Sequence, residues 1–464
     1  MNQKINFGTY QSPFSWRYGS DEMRSLFSEV NRRKTWRKVW VALARAQSKF
    51  GLVTGRQLQD LIKNQNNIDI QKAHEIEARI KHDLMAEIKT YAAQSGAAGA
   101  KIHLGATSAD IEDNADVINF RISLAIIEKK LKDLLREFSQ KIDENKNLVC
   151  MAYTHLQPAE PTTLGYRFCL YAQDLLLDLK LLSYIRSQMK GKGIKGAVGT
   201  SASYVSLLGQ KAKDMERMVL KELQIEAFDV TGQVYPRKID YLILTALASI
   251  AQSLYKFAFD LRIMQSPGFG ELQEPFGASQ VGSSAMPHKR NPQTSERICS
   301  ISRFVNSLTH VAWENAANSL LERTLDDSAS RRIIIPQAFL ATDEILAHMI
   351  LIVRDLKINK RNVQRNLEIY GPFAGSENIM MQSVKNGADR QEIHEAIRQV
   401  SMKAWEKVGE GHANPLVDLL KRNKMITKFV NPDQIAQLIN PAKHIGFAKD
   451  KCLSFLKELN KQLL

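Results

Sequence analysis

The chain has 464 residues, of which 24% are charged and 8% aromatic, and its formal net charge is +15. Such a length carries a large core in two or three domains or one elongated architecture, and the ordinary composition excludes a disordered, collagenous or disulfide-stapled chain. The positive balance attracts polyanions, but the lysines and arginines are spread through helical stretches without a basic tail, so a dedicated nucleic-acid face is the weaker inference.

An irregular lead containing Trp16, Arg17 and Tyr18 precedes helical segments around residues 22–50 and 70–94. The small-residue break SGAAGAKIHLGATSAD follows, and there Thr107, Ser108 and Asp110 offer N-cap chemistry to the next helix. From 113 to 143, Phe120, Leu124, Ile127, Leu131, Leu134, Phe138 and Ile142 recur at steps of three and four, one stripe of a long amphipathic helix. A second helix starts near Thr162. A third covers Ile239 to Met264 and is apolar nearly all round, as the centre of a bundle requires. A fourth follows Pro292, with Asn291 as its N-cap, and a fifth runs from about Pro336 to Asp355. The expected fold is all-α: an N-terminal helical domain over 1–107, a central long-helix bundle over 108–358, and a C-terminal helical domain over 359–464 with breaks at Gly371-Pro372 and Asn414-Pro415. The central helix has too little polar surface to face water, so self-association is expected to cover it.

Cys150, Cys169, Cys299 and Cys452 are widely spaced without a CxxC pair, which reads as free thiols in a reducing compartment. The start, MNQKINFGTY, lacks a signal peptide's apolar core, and the longest apolar run, Tyr241 to Leu254, is too short to cross a bilayer. A cytoplasmic protein without a membrane partner is expected.

Chemistry concentrates in five stretches. FGASQVGSSAMPHKRNPQTSE, residues 276–296, is a serine- and glycine-rich loop expected to be mobile, anchored on a helix start that binds an anion through backbone amides, the helix dipole and Lys289. Lys81-His82-Asp83 is placed on a helix. GATSAD at 105–110 is a small anion nest or a plain cap, and THLQPA sets the imidazole of His155 in a proline-stiffened segment. In ERTLDDSASRR, Arg323, Ser328 and Arg332 can converge on a phosphate, or belong to an exposed ion-pair lattice. Nucleotide-loop and zinc-helix motifs are absent, so the implied chemistry is acid–base work on an anionic substrate with no cofactor and no metal.

GSSAMPHKRNP resembles the signature loop of the fumarase/aspartase superfamily, helical homotetramers that eliminate fumarate from succinyl-type substrates. SPFSWRY, KHDLMAEI, HLGATSADIEDN, TGQVYPRK and the arginine stretch extend the resemblance, over nearly the whole chain, to the members that act on succinylated purine nucleotides. The resemblance implies fumarate release from adenylosuccinate and from the succinylocarboxamide ribotide SAICAR, in active sites shared between subunits, without a specific nucleic-acid partner. It implies Ser283 as catalytic base, His155 as general acid oriented by Glu296, and His82 as a second active-site histidine. Lys289 and Asn291, helped by Thr107 and Ser108, match the groups holding the succinyl carboxylates. Arg17, Tyr18, Arg323, Ser328 and Arg332 match the phosphate and ribose contacts, and Gln233 a further substrate contact, with Asp83, Thr154 and Met286 beside them. Lys81 and His288 depart from some relatives, which have arginine and tyrosine there. The alternatives are a sibling lyase such as one acting on argininosuccinate and, resting on charge alone, a basic scaffold for nucleic acid.

Overall fold

The computed structural model describes residues 7–463, and 69% of the protein is helical, with only short strands, as an all-α chain requires. The elements that position the site are α1 (Glu29–Ser48), α2 (Ile70–Ile80), α3 (Asp83–Gln94), α4 (Ser108–Asn145), β1 (Val149–Thr154), β2 (Gln157–Thr163), α5 (Leu164–Ser187), α6 (Lys238–Gln265), β3 (Leu272–Gln273), α7 (Gln293–Ala317), α8 (Ser328–Arg354), β4 (Lys357–Ile358), α9 (Lys360–Lys385), α10 (Arg390–Gly409) and α11 (Ala448–Leu463). The chain forms two compact units. Unit 1 is Met1–Lys130, Asp178–Gln252 and Ser300–Ala347; unit 2 is Leu131–Leu177, Ser253–Cys299 and His348–Leu464. Each boundary falls inside one of the five long helices, α4 to α8, so every bundle helix contributes to both units.

In unit 1, Phe339 of α8 stacks on Phe120 of α4 and on Phe27, and Lys130 of α4 pairs with buried Asp343 of α8 at 2.5 Å. Arg33 and Arg37 of α1 both reach the buried carboxylate of Glu87 in α3, at 2.9 and 2.7 Å. The stretch Lys81-His82-Asp83 is not within one helix: only Asp83 is helical, as the first residue of α3. It is the junction between α2 and α3, with Lys81 in the left-handed region (φ 58°) closing α2 and His82 as the N-cap of α3, its Nδ1 accepting from the Met85 amide. A short polar side chain at such a junction satisfies an amide that the helix leaves unpaired.

In unit 2, Phe138 of α4 meets Phe168 of α5 and Phe257 of α6, with ring centroids 6.4 and 5.2 Å apart. Strands β1 and β2 form an antiparallel hairpin that the sequence reading left as a stiff segment. A C-terminal cluster of buried aliphatics, including Ile379, Ile397, Leu416, Leu420 and Ile435, holds α9 and α10 with the short helices that follow. Helix α9 passes straight through Gly371-Pro372, contrary to the expected break. At Gly371 a Cβ would stand 2.8 Å from Pro441, and at Gly375 it would stand 2.5 Å from the Ile439 backbone. Those glycines serve close packing against the 439–441 segment rather than termination.

Two further expectations change. Helix α8 begins at Ser328, eight residues before Pro336, which lies inside it. Helices α6 and α8 are each long and apolar enough to cross a membrane by length and composition, which the Tyr241–Leu254 run did not suggest. In each, 61% of that window is buried within the protein, as for the core helix of a folded bundle.

Candidate active site: two half-sites in one chain

Unit 2 carries the signature loop and the hairpin. Within the loop, Ser283 Oγ accepts hydrogen bonds from the amides of Ala285 (3.3 Å) and Met286 (3.1 Å). Two N–H dipoles aimed at one hydroxyl oxygen favour its anionic form, which a serine acting as a base must reach. The loop is folded on itself. The Gly282 carbonyl accepts from Asn291 Nδ2 (2.8 Å) and Gln293 Nε2 (3.0 Å), and the space for a Cβ at Gly282 is filled by the Lys289 carbonyl at 2.0 Å, so only glycine fits. Lys289 is exposed, carries no ion pair among the described residues, and its amide closes a turn onto Met286.

The helix start after the loop is arranged differently from the expectation. Asn291 spends its side chain on Gly282, not on α7, and α7 begins at Gln293. The first-turn amides of Thr294 and Ser295, and the Ser295 hydroxyl, donate to the buried carboxylate of Glu274 at 3.1, 2.9 and 2.8 Å. An anion already sits on this helix end, so the amides that were expected to hold a substrate hold Glu274. Glu296 lies one residue further on, exposed, and makes no ion pair with His155 within the chain among the described residues.

His155 occupies the tip of the hairpin. Thr154 pairs with Gln157, so His155 and Leu156 are the two loop residues, and both have positive φ, 54° and 59°. A two-residue hairpin turn demands that backbone, which asparagine and glycine adopt readily and which costs histidine and leucine roughly 1–2 kcal/mol each. Strain held at an exposed tip makes this turn a candidate functional position. Thr154, His155 and Leu156 are all exposed.

Unit 1 carries the other half. Arg323, Ser328 and Arg332 line one cavity of about 260 Å³ together with Glu112, Asp116 and Arg237. Behind it the charges form a buried lattice. Arg237 binds Asp113 through both terminal nitrogens (3.1 Å each) and Asp327 at 2.6 Å, while Arg331 binds Asp240 (2.6 Å), Asp116 (3.1 Å) and the Tyr235 hydroxyl (2.8 Å). Arg323 holds the other oxygen of Asp327 at 2.6 Å, and Arg332 holds Asp83 at 2.7 Å. Burial alone would raise Asp83 and Asp327, but the arginines outweigh it and keep both carboxyls below the usual range.

Gln233 Nε2 donates to Thr107 Oγ1 at 3.4 Å, and the Gln233 amide is held by the Glu322 carbonyl, which ties the TGQ turn to the arginine stretch. Ser108 opens α4, and Asp110 accepts from the Thr107 amide at 3.0 Å. Asp110 does far more than cap. It is buried and also receives Lys192 Nζ, the Lys195 and Gly196 amides and the Tyr204 hydroxyl. Arg17 is exposed, with its guanidinium 5.7 and 5.8 Å from the Trp16 and Tyr18 rings.

A family model described as "Lyase" matches residues 17–306, and one described as "Adenylosuccinate lyase C-terminus" matches residues 372–452. Adenylosuccinate lyase of Saccharomyces cerevisiae is 38% identical over 99% of this chain and 96% of its own length. That of Methanocaldococcus jannaschii is 37% identical over 100% and 99%. The chain belongs to the adenylosuccinate lyase family. It is a lyase, and its fold is shared with more distant proteins: 3-carboxy-cis,cis-muconate lactonizing enzyme from Pseudomonas putida superposes with a TM-score of 0.88 at 22% identity, covering 98% of this chain and all of that one. A fumarate lyase from Mesorhizobium sp. BNC1 gives 0.84 at 22%, over 97% of this chain and 99% of its own.

For a member of this family, the residue that sequence reasoning missed is Glu112. It stands half-buried in the cavity wall, and burial, reinforced by Asp83, Asp113 and Asp116 and only partly countered by Arg332, pushes its carboxyl up to about 8. Burial likewise raises Asp116, against Arg331. Glu112 therefore holds a proton at neutral pH and can donate a hydrogen bond into a cavity that Arg237, Arg323, Arg331 and Arg332 share with Asp113 and Asp116. The stretch ADIEDNAD, four acids within about two helical turns, was the available signal. Outside these half-sites, Glu160, Glu377 and His444 converge in unit 2 with His444 Nε2 4.0 and 3.8 Å from the two carboxylates, a grouping that an ion pair with a protonated imidazole satisfies without a metal.

Proposed function

We propose that the protein is a carbon–nitrogen lyase that releases fumarate from adenylosuccinate, leaving AMP, and from SAICAR, leaving the carboxamide ribotide AICAR. The observation that carries this reading is the Ser283 hydroxyl with two amides on its oxygen, in a chain aligned from end to end with adenylosuccinate lyases.

Ser283, as the alkoxide, takes the proton from the carbon next to a succinyl carboxylate. Charge then accumulates on that carboxylate, where Lys289 is an unpaired cation and Asn291, Thr107 and Ser108 supply donors. The C–N bond breaks, the electron pair of the C–H bond becomes the fumarate double bond, and His155 delivers a proton to the departing nitrogen. Glu296 orients His155, and His82 is the second histidine of the site. The phosphate is held by Arg323, Ser328 and Arg332 with Arg17 and Tyr18, and it takes Arg332 from Asp83 as it enters. Gln233, Asp83, Thr154 and Met286 complete the substrate contacts. No step asks for a cofactor.

The catalytic pair and the phosphate cavity belong to different units, and the tip carrying His155 is exposed, which supports active sites completed between subunits of a homotetramer. Helix α5 supports the same assembly, since Leu170, Leu177 and Tyr184 are 53, 59 and 60% exposed on a single chain. The reading keeps the sequence division into 1–107, 108–358 and 359–464, and a cytoplasmic place of work. The test is fumarate release followed by ultraviolet absorbance with adenylosuccinate and argininosuccinate side by side. Turnover of adenylosuccinate alone is expected, and turnover of argininosuccinate alone, or of neither, overturns the proposal.

A further inference from the structure

The reaction uses Lys289 and Asn291 of the signature loop and leaves their neighbours His288 and Arg290 without a task. Both line a second cavity of unit 2, about 750 Å³ in volume, whose opposite wall is Lys357, Lys360 and Arg361. Four permanent cations and one imidazole thus share one cleft, and its lining among the described residues contains no carboxylate. None of the five makes an ion pair among the described residues. The unit 1 cavity is the opposite case, where Arg237, Arg323, Arg331 and Arg332 each hold a carboxylate.

The cleft is a built feature rather than a chance meeting of surface side chains. Leu272 and Gln273 pair with Ile358 and Lys357, the Asn359 amide donates to the Glu271 carbonyl at 2.8 Å, and Asn362 Nδ2 donates to the Gly270 carbonyl at 2.8 Å. On the loop side, Gln265 Nε2 holds the Arg290 carbonyl at 2.9 Å, and the Arg290 guanidinium lies over the Phe276 ring at 5.5 Å. Lys360 and Arg361 are also the first residues of the long helix α9, so its positive end adds to their charge.

Uncompensated like charges gathered in one concavity repel one another, and the strain is relieved when an anion of matching charge enters. A monophosphate, at about two charges, leaves half the cations unmatched, whereas a triphosphate chain carries about four. We propose that this cleft binds a small polyphosphate, the triphosphate chain being the recognised element. A bound polyphosphate clamps residues 288 and 290 on either side of Lys289 and so slows turnover. That consequence rests on the role given to Lys289 above, while the binding itself does not.

Calorimetry of the full-length protein with sodium tripolyphosphate, and separately with ATP, tests it. Saturable binding of tripolyphosphate is expected, weakened about tenfold or more in Lys360→Ala/Arg361→Ala, where two charged contacts are gone. Turnover of that variant without polyphosphate should equal wild type, and its circular dichroism should be unchanged because both side chains are exposed. Lys357→Gln provides an independent second variant with the same expected direction. ATP binding as tightly as tripolyphosphate shows that the phosphates alone are read; tighter ATP binding shows that the nucleoside adds contacts. No heat at about 1 mM ligand overturns the proposal. So does undiminished binding in the double variant, or loss of binding in Arg332→Ala, which would put the ligand in the unit 1 cavity. A protein that binds tripolyphosphate but releases no fumarate from adenylosuccinate would retain this site and lose the function proposed above.

Discussion

The two half-sites solve opposite electrostatic problems. In unit 1 every arginine around the cavity is already matched by a carboxylate, so the charges proposed to meet a phosphate are fixed in place beforehand, and binding there would exchange one anion for another. In unit 2 the groups proposed to serve the chemistry are free of ion pairs among the described residues: exposed Lys289, exposed His155 at a strained turn, and half-buried Ser283 held only by its own loop's amides. A binding pocket profits from rigidity, whereas a base and an acid that must lose contact with water profit from arriving late, by loop closure or with another subunit.

The largest expected effect breaks the rigid side. Arg237→Ala leaves buried Asp113 without its guanidinium and Asp327 with Arg323 alone close by, and should lower stability by about 3–5 kcal/mol, read from denaturant midpoints. A loss under about 1 kcal/mol would mean that the lattice is not a structural unit. On the other side, Ser283→Ala removes only two hydrogen bonds internal to its loop and His155→Ala only an exposed side chain; each should cut kcat by about a hundredfold or more with KM and stability near wild type. Near-normal turnover in either variant removes that residue from the chemistry.

Arg332→Ala and Arg323→Ala sharpen the contrast, because their loss belongs to binding. A rise in KM equivalent to about 1.5–3 kcal/mol per charged hydrogen bond is expected, and an effect confined to kcat would sink the phosphate role. The smallest effect is a pH signature. The folded-state carboxyl of Glu112 is raised to about 8, so its contribution to stability is complete below its unfolded value and fades as pH climbs through 8. Glu112→Gln cannot titrate, so between the ordinary carboxyl value of 4.5 and about pH 8 its melting temperature should gain on wild type as pH rises, and the difference should level off above that. Parallel curves would show that Glu112 is already ionised.

Much of the architecture was legible in the chain. The three-and-four spacing from Phe120 to Ile142 specifies α4 because apolar periodicity reports which face of a helix is buried; the same logic located α5, all-round apolarity located α6, and the Asn291-Pro292 start located α7. Proline was the less dependable guide. It suggested a start at Pro336 and a break at Pro372, yet both lie inside helices, because one missing amide is tolerable where the surrounding packing holds the helix.

What local sequence could not decide was the partner of each charge. Arg331 and Arg332 are adjacent and chemically identical, and only the folded structure turns one into the buried lattice with Asp240 and leaves the other on the cavity. Glu274 reached the amides of α7 from twenty residues away, and Glu112 acquired its proton from three aspartates and burial together. Helix formation and family motifs are written in short-range order, so the sequence by itself determined them. Protonation states and ion-pair partners depend on distances and dielectric surroundings that exist only after distant segments have met, and those the tertiary structure decided.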